Sequence, residues 1–86
     1  MNYTVVWRPT AEGALAQIWT DALDRQAVAD AADLMDAMLG SSPREVGEGR
    51  AGPTRILTVM PLSIYYDVHE DDRLVAVWAV WQVPRR

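Results

Sequence analysis

The most regular alternation of hydrophobic and polar residues lies in the last third of the chain. Between Leu62 and His69 every second residue is apolar, and this period of two predicts a strand with one face in a core. The acidic residues 70–72 then predict a turn. The next strand, from Leu74 to about Gln82, is apolar on both faces, with Trp78 on one and Trp81 on the other. Because such a strand needs neighbours on both sides, we expect it near the centre of the sheet.

The first half of the chain predicts one strand and two helices. A short strand covers residues 3–8 and ends at Pro9. Apolar residues then recur at helical spacing, first over residues 11–23 and again over residues 27–39. We expect Trp19 and Leu23 on the apolar face of the first helix. Thr10 and Asp24 are the expected N-caps, and Gly40 is the expected end of the second helix.

Residues 40–54 are rich in Gly, Ser, Pro and charge and predict a loop of about fifteen residues. A strand that opens at Arg55 follows this loop. The predicted order is strand, helix, helix, loop and three consecutive antiparallel strands, so the helical hairpin must cover one face of the sheet. The expected fold class is therefore α+β, a β-α-α-β-β-β arrangement with a mainly antiparallel four-stranded sheet. Residues 1–86 are expected to form a single domain.

The charge of the chain is negative and uneven. Its formal net charge is −4, its basic residues are all Arg, and the six acids and two Arg of residues 1–42 account for the whole imbalance. This argues against broad binding to nucleic acid, which needs a basic face. Asp30, Asp33 and Asp36 form an acidic stripe along the second predicted helix. The stripe is either a solvated face or a docking strip for a basic partner.

The composition argues against several kinds of site, and we expect no metal and no cofactor. The chain has no Cys and one His, so thiolate zinc sites and disulfides are excluded. No apolar run approaches the roughly 20 residues of a membrane span, and the N-terminus does not resemble a signal peptide. We expect a cytosolic protein that does not enter membranes.

Three segments are similar to the RelE/ParE superfamily of bacterial toxins. They are YTVVWRPTAEGALAQIW, PREVGEGRAGPTRIL and LSIYYDVHEDDRLVAVWAVWQVPRR. The last resembles the family's Tyr-containing strand, acidic turn and valine-rich final strand. The resemblance implies the toxin component of a type II toxin–antitoxin module, with a cognate antitoxin protein as its partner.

The resemblance implies two alternative activities. RelE-like members cut mRNA on the ribosome, whereas ParE-like members poison DNA gyrase by protein contact. Arg55 and Arg85 match positions where the nucleases carry basic residues. Ser63 stands where they usually carry an Arg, and Gln82 where many members carry a His. The sequence ends at Arg86, and we expect the tail that holds an acid–base residue in several nucleases to be missing.

Phosphodiester cleavage needs charge stabilisation and usually a proton donor or acceptor. Arg does not readily release its proton, and His69 is expected to be a solvated residue at a strand end. The residues therefore favour the ParE-like, non-nucleolytic activity. A ribosome-dependent endoribonuclease remains the alternative, and a non-toxic interaction module derived from the family is a third.

The candidate binding surface is the sheet face opposite the helices. Tyr65 is expected to point there, together with one of the two aromatic registers of the last strand, although it could simply pack beside Trp81 or Val59. Arg50, Arg55 and Arg85 would form the rim. The expected occupant is the antitoxin, or a second copy of the chain when it is purified alone. The complete set of candidate target- or antitoxin-binding residues is Arg50, Arg55, Tyr65, Trp81, Gln82 and Arg85.

Overall fold

In the computed structural model, which describes residues 2–84, two helices lie on one face of a five-stranded sheet. The elements in chain order are β1 (Thr4–Trp7), α1 (Pro9–Asp21), α2 (Arg25–Ser41), β2 (Glu48–Gly49), β3 (Thr54–Val59), β4 (Leu62–His69) and β5 (Leu74–Gln82). The strand order across the sheet is β1-β5-β4-β3-β2. β1 runs parallel to β5, and the other neighbours are antiparallel.

The α+β class is confirmed, and β5 lies between β1 and β4 as its two apolar faces predict. The expected strand count of four is wrong, because residues 40–54 are not wholly irregular. Within them β2 pairs with β3 through Glu48–Ile56 and Gly49–Arg55. The connecting turn is closed by the Arg50 amide, which donates to the Thr54 carbonyl at 2.8 Å. A strand of two residues is too short to show any periodicity in the sequence.

The ends of the helices differ from expectation at two of three points. Asp24 caps α2 as predicted, because its Oδ1 accepts from the Ala27 amide at 3.0 Å. Thr10, however, is inside α1, which begins at Pro9 and has no side-chain cap. Proline suits the first helical position because its φ is already helical and no amide hydrogen is needed there. Gly40 also lies inside α2, and its carbonyl accepts the Tyr3 amide at 2.8 Å, which ties the helix to the start of the sheet.

The core lies between the helices and one face of the sheet. The alternation in β4 is confirmed, since its four predicted core residues are all buried. They pack with side chains of α2 and β5, namely Val28, Met35, Leu39, Val75, Val77 and Val80. The expected burial of Trp19 and Leu23 is wrong. Leu23 follows the end of α1, so helical spacing no longer places it, and Trp19 is 45% exposed on the surface of the hairpin.

The described residues 2–84 contain no helix that is both long enough and apolar enough to cross a lipid bilayer.

The segment before β3 packs closely on the sheet at Gly47. A Cβ atom placed on Gly47 would lie 2.5 Å from both the Ile56 carbonyl oxygen and the Tyr66 hydroxyl. Real Cβ atoms essentially never approach other heavy atoms that closely, so only glycine fits without a shift of backbone. Gly13, in α1, has open space around the same position.

Substitution of these two glycines by alanine should change the free energy of unfolding in opposite directions. We expect Gly47→Ala to lower the free energy of unfolding by about 1–3 kcal/mol, because overpacking forces neighbouring groups to move. Gly13→Ala should raise it by about 0.5–1 kcal/mol, since alanine favours the helical backbone. Urea unfolding followed by circular dichroism measures both. Equal stability of the two variants would contradict the close approach at Gly47.

Candidate functional site

A β-bulge in β5 brings the side chains of the candidate surface to one face of the sheet. Tyr66 pairs with Val77 and Tyr65 pairs with Ala79, so Trp78 is an extra residue without a partner on β4. Because side chains alternate along a strand, the extra residue reverses the alternation beyond it. The expectation that Trp78 and Trp81 lie on opposite faces is therefore wrong. Both point away from the helices, whereas Val75, Val77 and Val80 all reach the core.

The two tryptophans and Tyr65 form one cluster, which we call the aromatic face. The Tyr65 ring stacks on Trp78 with centroids 5.2 Å apart and an interplanar angle of 18°. It also contacts Trp81, at 4.9 Å and 52°. Such pairs contribute about 0.5–1.5 kcal/mol each beyond their buried area. Tyr65 thus packs beside Trp81, and the cluster is a fixed platform rather than three independent side chains.

Asp67 orients one edge of the aromatic face. Its Oδ1 accepts from the Trp78 indole Nε1 at 3.1 Å and from the Thr54 hydroxyl at 2.8 Å. The carboxylate therefore holds the indole in place through a charge-assisted hydrogen bond. Asp67 was missed by the sequence analysis, which left open whether Trp78 or Trp81 lies on this face. In a strand that is apolar on both faces, a bulge does not alter the hydrophobic pattern of the sequence. Trp78 could therefore not be assigned to this surface.

Apart from Glu48 of β2, which pairs with the outward Ile56, the remaining outward positions of the sheet are small, apolar or neutral. They include Val6, Ile56, Thr58, Ser63 and Ala79, and no outward position of β3, β4 or β5 carries an Arg. Ser63 is only 2% exposed, and its hydroxyl forms a 2.6 Å hydrogen bond with that of Thr58. The Ser63 side chain is therefore closed to a ligand.

Arg55 does not border the aromatic face, so that expectation is wrong. Arg55 pairs with Tyr66, and side chains of paired residues share a face, which places Arg55 on the helix side of the sheet. Its Nη2 donates to the Gly47 carbonyl at 2.6 Å, while the Tyr66 hydroxyl donates to the Pro43 carbonyl at 2.7 Å. Among residues 2–84 the buried Nε of Arg55 has no hydrogen-bond partner. Arg55 and Tyr66 thus tie residues 43–47 to the sheet.

The other candidate residues are dispersed. Arg50 is exposed beside the β2–β3 turn and makes a 3.7 Å ion pair with Glu48. Because both side chains are exposed, this ion pair holds neither of them firmly. Gln82 pairs with Leu62 and so lies on the helix side. It lines a cleft of about 470 Å³ that also includes Asp21 and Asp24 at the turn between the helices. Arg85 lies outside the described residues.

The aromatic face has no imidazole for proton transfer. His69, the single histidine of the chain, points to the same side as Tyr65 but lies four residues along β4, about 13 Å away. Within residues 2–84 there is no group of three or more acidic or histidine side chains that could hold a metal ion. The geometry is suited to binding by contact and stacking.

A separate polar cluster joins the start of β1 to the β4–β5 turn. The Tyr3 hydroxyl donates to the two carboxylate oxygens of Glu70 at 2.9 and 3.0 Å, and Arg44 reaches the same carboxylate at 3.3 Å. The hydrogen bond to Glu70 is the main cause that raises the pKa of the Tyr3 phenol above its ordinary value, with desolvation and the Glu70 charge adding to it. This cluster fastens the edge of the sheet.

Arg55 contacts the fold and Arg50 is exposed, so substituting them should affect stability differently. We expect Arg55→Ala to lower the free energy of unfolding by about 1–2 kcal/mol, because it removes a partly buried hydrogen bond that a charged group donates. The matched change Arg50→Ala should alter it by less than about 0.5 kcal/mol, since exposed ion pairs contribute little. Thermal and urea unfolding give both values. If Arg55→Ala left the free energy of unfolding unchanged, the contact with Gly47 would not stabilise the fold.

Comparison with solved structures places this architecture among toxins. The toxin–antitoxin complex RelBE2 from Mycobacterium tuberculosis matches with a TM-score of 0.78 and 20% identity, over 95% of this chain and 92% of that chain. The chromosomal ParDE system of P. aeruginosa matches at 0.75 and 16%, over 95% and 97% of the two chains. The isolated E. coli RelE toxin matches at 0.65 and 18%, over 98% and 87%. No family model and no curated protein matches the sequence. The predicted resemblance is confirmed at the level of the fold: this chain has the fold of the RelE/ParE toxins.

Proposed function

We propose that this chain is the toxin component of a bacterial type II toxin–antitoxin module and acts by protein contact, as ParE-like toxins do. The fold supports a toxin of either the RelE or the ParE kind. The observation that carries the choice between them is the aromatic face, an apolar platform without arginine at the outward positions of β3–β5.

Cleavage of RNA would need cationic donors, and the outward positions of β3–β5 present no arginine. A dianionic transition state must be stabilised by donors placed on the developing charge, and proton transfer usually adds roughly 100- to 10,000-fold. Ser63 is buried, and Arg55 is turned to the helix side, where it donates to Gly47. His69 lies about 13 Å from Tyr65 along the strand. These positions support a toxin that is not a nuclease.

Binding of a protein suits the same surface. Trp78 is 39% exposed although it is held by Asp67 and stacked on Tyr65. Tryptophan and tyrosine dominate the energetics of protein interfaces, and a fixed side chain loses little entropy on binding. A platform of this kind is what a partner needs at the centre of an interface.

The antitoxin is the proposed partner of the aromatic face. Several of the matching structures are toxin–antitoxin complexes, including the intact E. coli RelBE complex and the archaeal RelE–RelB complex from Pyrococcus horikoshii. By the same resemblance, DNA gyrase is the first cellular target to test, and the ribosome with its mRNA is the second. A second copy of the chain would use the same apolar surface when the antitoxin is absent.

Expression in a bacterial host tests the proposal directly. Inducing this protein alone should arrest growth, and co-expression of the adjacent small gene should restore it.

Purified ribosomes loaded with mRNA should show no new cleavage when the protein is added, whereas DNA supercoiling by gyrase should be inhibited. Normal growth with soluble, folded protein would instead indicate a non-toxic interaction module. Position-specific mRNA cuts made by the purified protein would establish the nuclease alternative.

The location of the antitoxin is tested by substitution on the aromatic face. The double variant Tyr65→Ala/Trp78→Ala should weaken the complex by several kcal/mol, since aromatic hot spots typically cost about 2 kcal/mol or more each. Leu34→Ala is the matched control, because Leu34 is an exposed apolar residue of α2 on the other side of the molecule. Calorimetric titration with the co-purified antitoxin measures both, and circular dichroism checks the fold. Unchanged affinity in the double variant would place the interface elsewhere.

A further inference from the structure

A second apolar surface lies on the helical hairpin, away from the sheet. Between α1 and α2 runs a groove of about 550 Å³, which we call the hairpin groove. Its apolar lining consists of Leu15, Ala16, Trp19, Val28, Ala29 and Ala32. Three of these six side chains are alanines, so the two helices do not fill the space between them. No residue of the sheet lines the groove, which makes it independent of the aromatic face.

Trp19 forms a fixed wall of the hairpin groove. The Arg25 guanidinium lies over the indole, 4.8 Å from the ring centroid. Arg25 also donates to the Trp19 carbonyl at 3.2 Å and to the Thr20 carbonyl at 2.9 Å, at the end of α1. α1 has no basic residue in its own last turn, so Arg25 supplies the cation that favours a helix C-terminus. An indole that is 45% exposed is therefore held in one position beside an open apolar channel.

The acids of the hairpin divide into two groups. Four of them have partners: Asp21 accepts from Gln17, Asp24 caps α2, Asp30 accepts from Gln26 and Asp36 accepts from the Trp7 indole. The other two, Glu12 and Asp33, have no hydrogen-bond or ion-pair partner for their carboxylates within residues 2–84. These two are also the carboxylates that line the hairpin groove. All six acids add to the negative charge of the hairpin, and the two whose carboxylates have no protein hydrogen-bond donor lie where the apolar surface is open.

We propose that the hairpin groove is a docking site for one amphipathic helix whose apolar stripe is flanked by basic residues. A channel between two helices accepts a third helix at the usual packing distance of about 8–10 Å. The lining of α1 runs from Glu12 to Thr20, about 12 Å or two helical turns, so two to three turns of a partner are engaged. Its apolar side chains contact the alanine floor and Trp19, and its Lys or Arg side chains reach Glu12 and Asp33.

Charge excludes a second copy of this chain as the occupant. Residues 9–41 carry six acids and one Arg, a net charge of −5. Two hairpins packed groove to groove would bring these like charges together in a partly desolvated interface, which is unfavourable. A basic helix gains from the same field, both in affinity and in the rate of encounter.

Designed peptides test this docking site on the full-length protein. The probe is a labelled helical peptide of about 18 residues, with Leu and Ala on one face and Lys on the flanks. One control peptide carries Glu in place of every Lys. A second control peptide has the same basic composition, but its apolar residues no longer share one face. Fluorescence anisotropy near physiological salt should show binding of the first peptide, and binding at least about tenfold weaker for the other two.

Variants of the protein locate the binding. Glu12→Gln/Asp33→Asn should weaken binding of the basic peptide about fivefold, and Trp19→Ala about tenfold, with unchanged circular dichroism. Glu45→Gln/Asp71→Asn removes the same charge from exposed acids outside the groove and should leave affinity unaltered. Trp78→Ala should also leave it unaltered, which separates this site from the aromatic face.

Each of the following results overturns the proposal. The basic peptide fails to bind up to millimolar concentration, or all three peptides bind equally well. Glu12→Gln/Asp33→Asn and its charge-matched control behave alike, or Trp19→Ala binds as the unmodified protein does. Sedimentation reveals a dimer that Trp19→Ala dissociates, in which case the groove is an interface between copies of this chain.

Discussion

The bulge at Trp78 is the constraint on which both faces of the sheet depend. Up to Val77 the odd-numbered residues of β5 point to the helices, and after the extra residue the even-numbered ones do. Without the bulge, Trp81 would point into the core and Val80 would point outward. The core has room for Val80 beside Ile64, and the indoles find Tyr65 on the opposite side. One inserted residue therefore places Val80 in the core and both Trp78 and Trp81 on the opposite face.

The same alternation explains why Arg55 does not reach the aromatic face. Arg55 and Ile56 are neighbours in β3, yet they pair with Tyr66 and Tyr65, respectively, and so point to opposite sides. Arg55 consequently contacts the segment that connects α2 to the sheet, where Gly47 leaves space for the close approach. Its positive charge is directed away from the aromatic face. The aromatic face is thus left without arginine at the outward positions of β3–β5, and the Asp67 carboxylate lies at its edge.

Most of the fold could be predicted because its signals are local and repeated. The alternation in β4, the helical spacing after Pro9 and the cap at Asp24 each follow from a few adjacent residues. The candidate site could not be assembled in this way. The face of Trp78 depends on a bulge, and that of Arg55 depends on its register with β4, which is set by the Met60–Pro61 turn. Both are relations between strands, and a single strand's sequence does not contain them.

The uneven charge of the chain gives its two open surfaces different selectivity. The hairpin carries −5, whereas residues 43–86 carry six Arg and six acids and are neutral overall. The molecule measures 39 × 23 × 21 Å, and at physiological salt electrostatic interactions decay over about 8 Å. The field of the hairpin is therefore largely screened at the far side of the sheet. A partner of the aromatic face is selected by shape and stacking, which act at contact, whereas a partner of the hairpin groove is also selected by charge as it approaches. The two surfaces can thus be occupied by chemically different segments without competing for the same interactions.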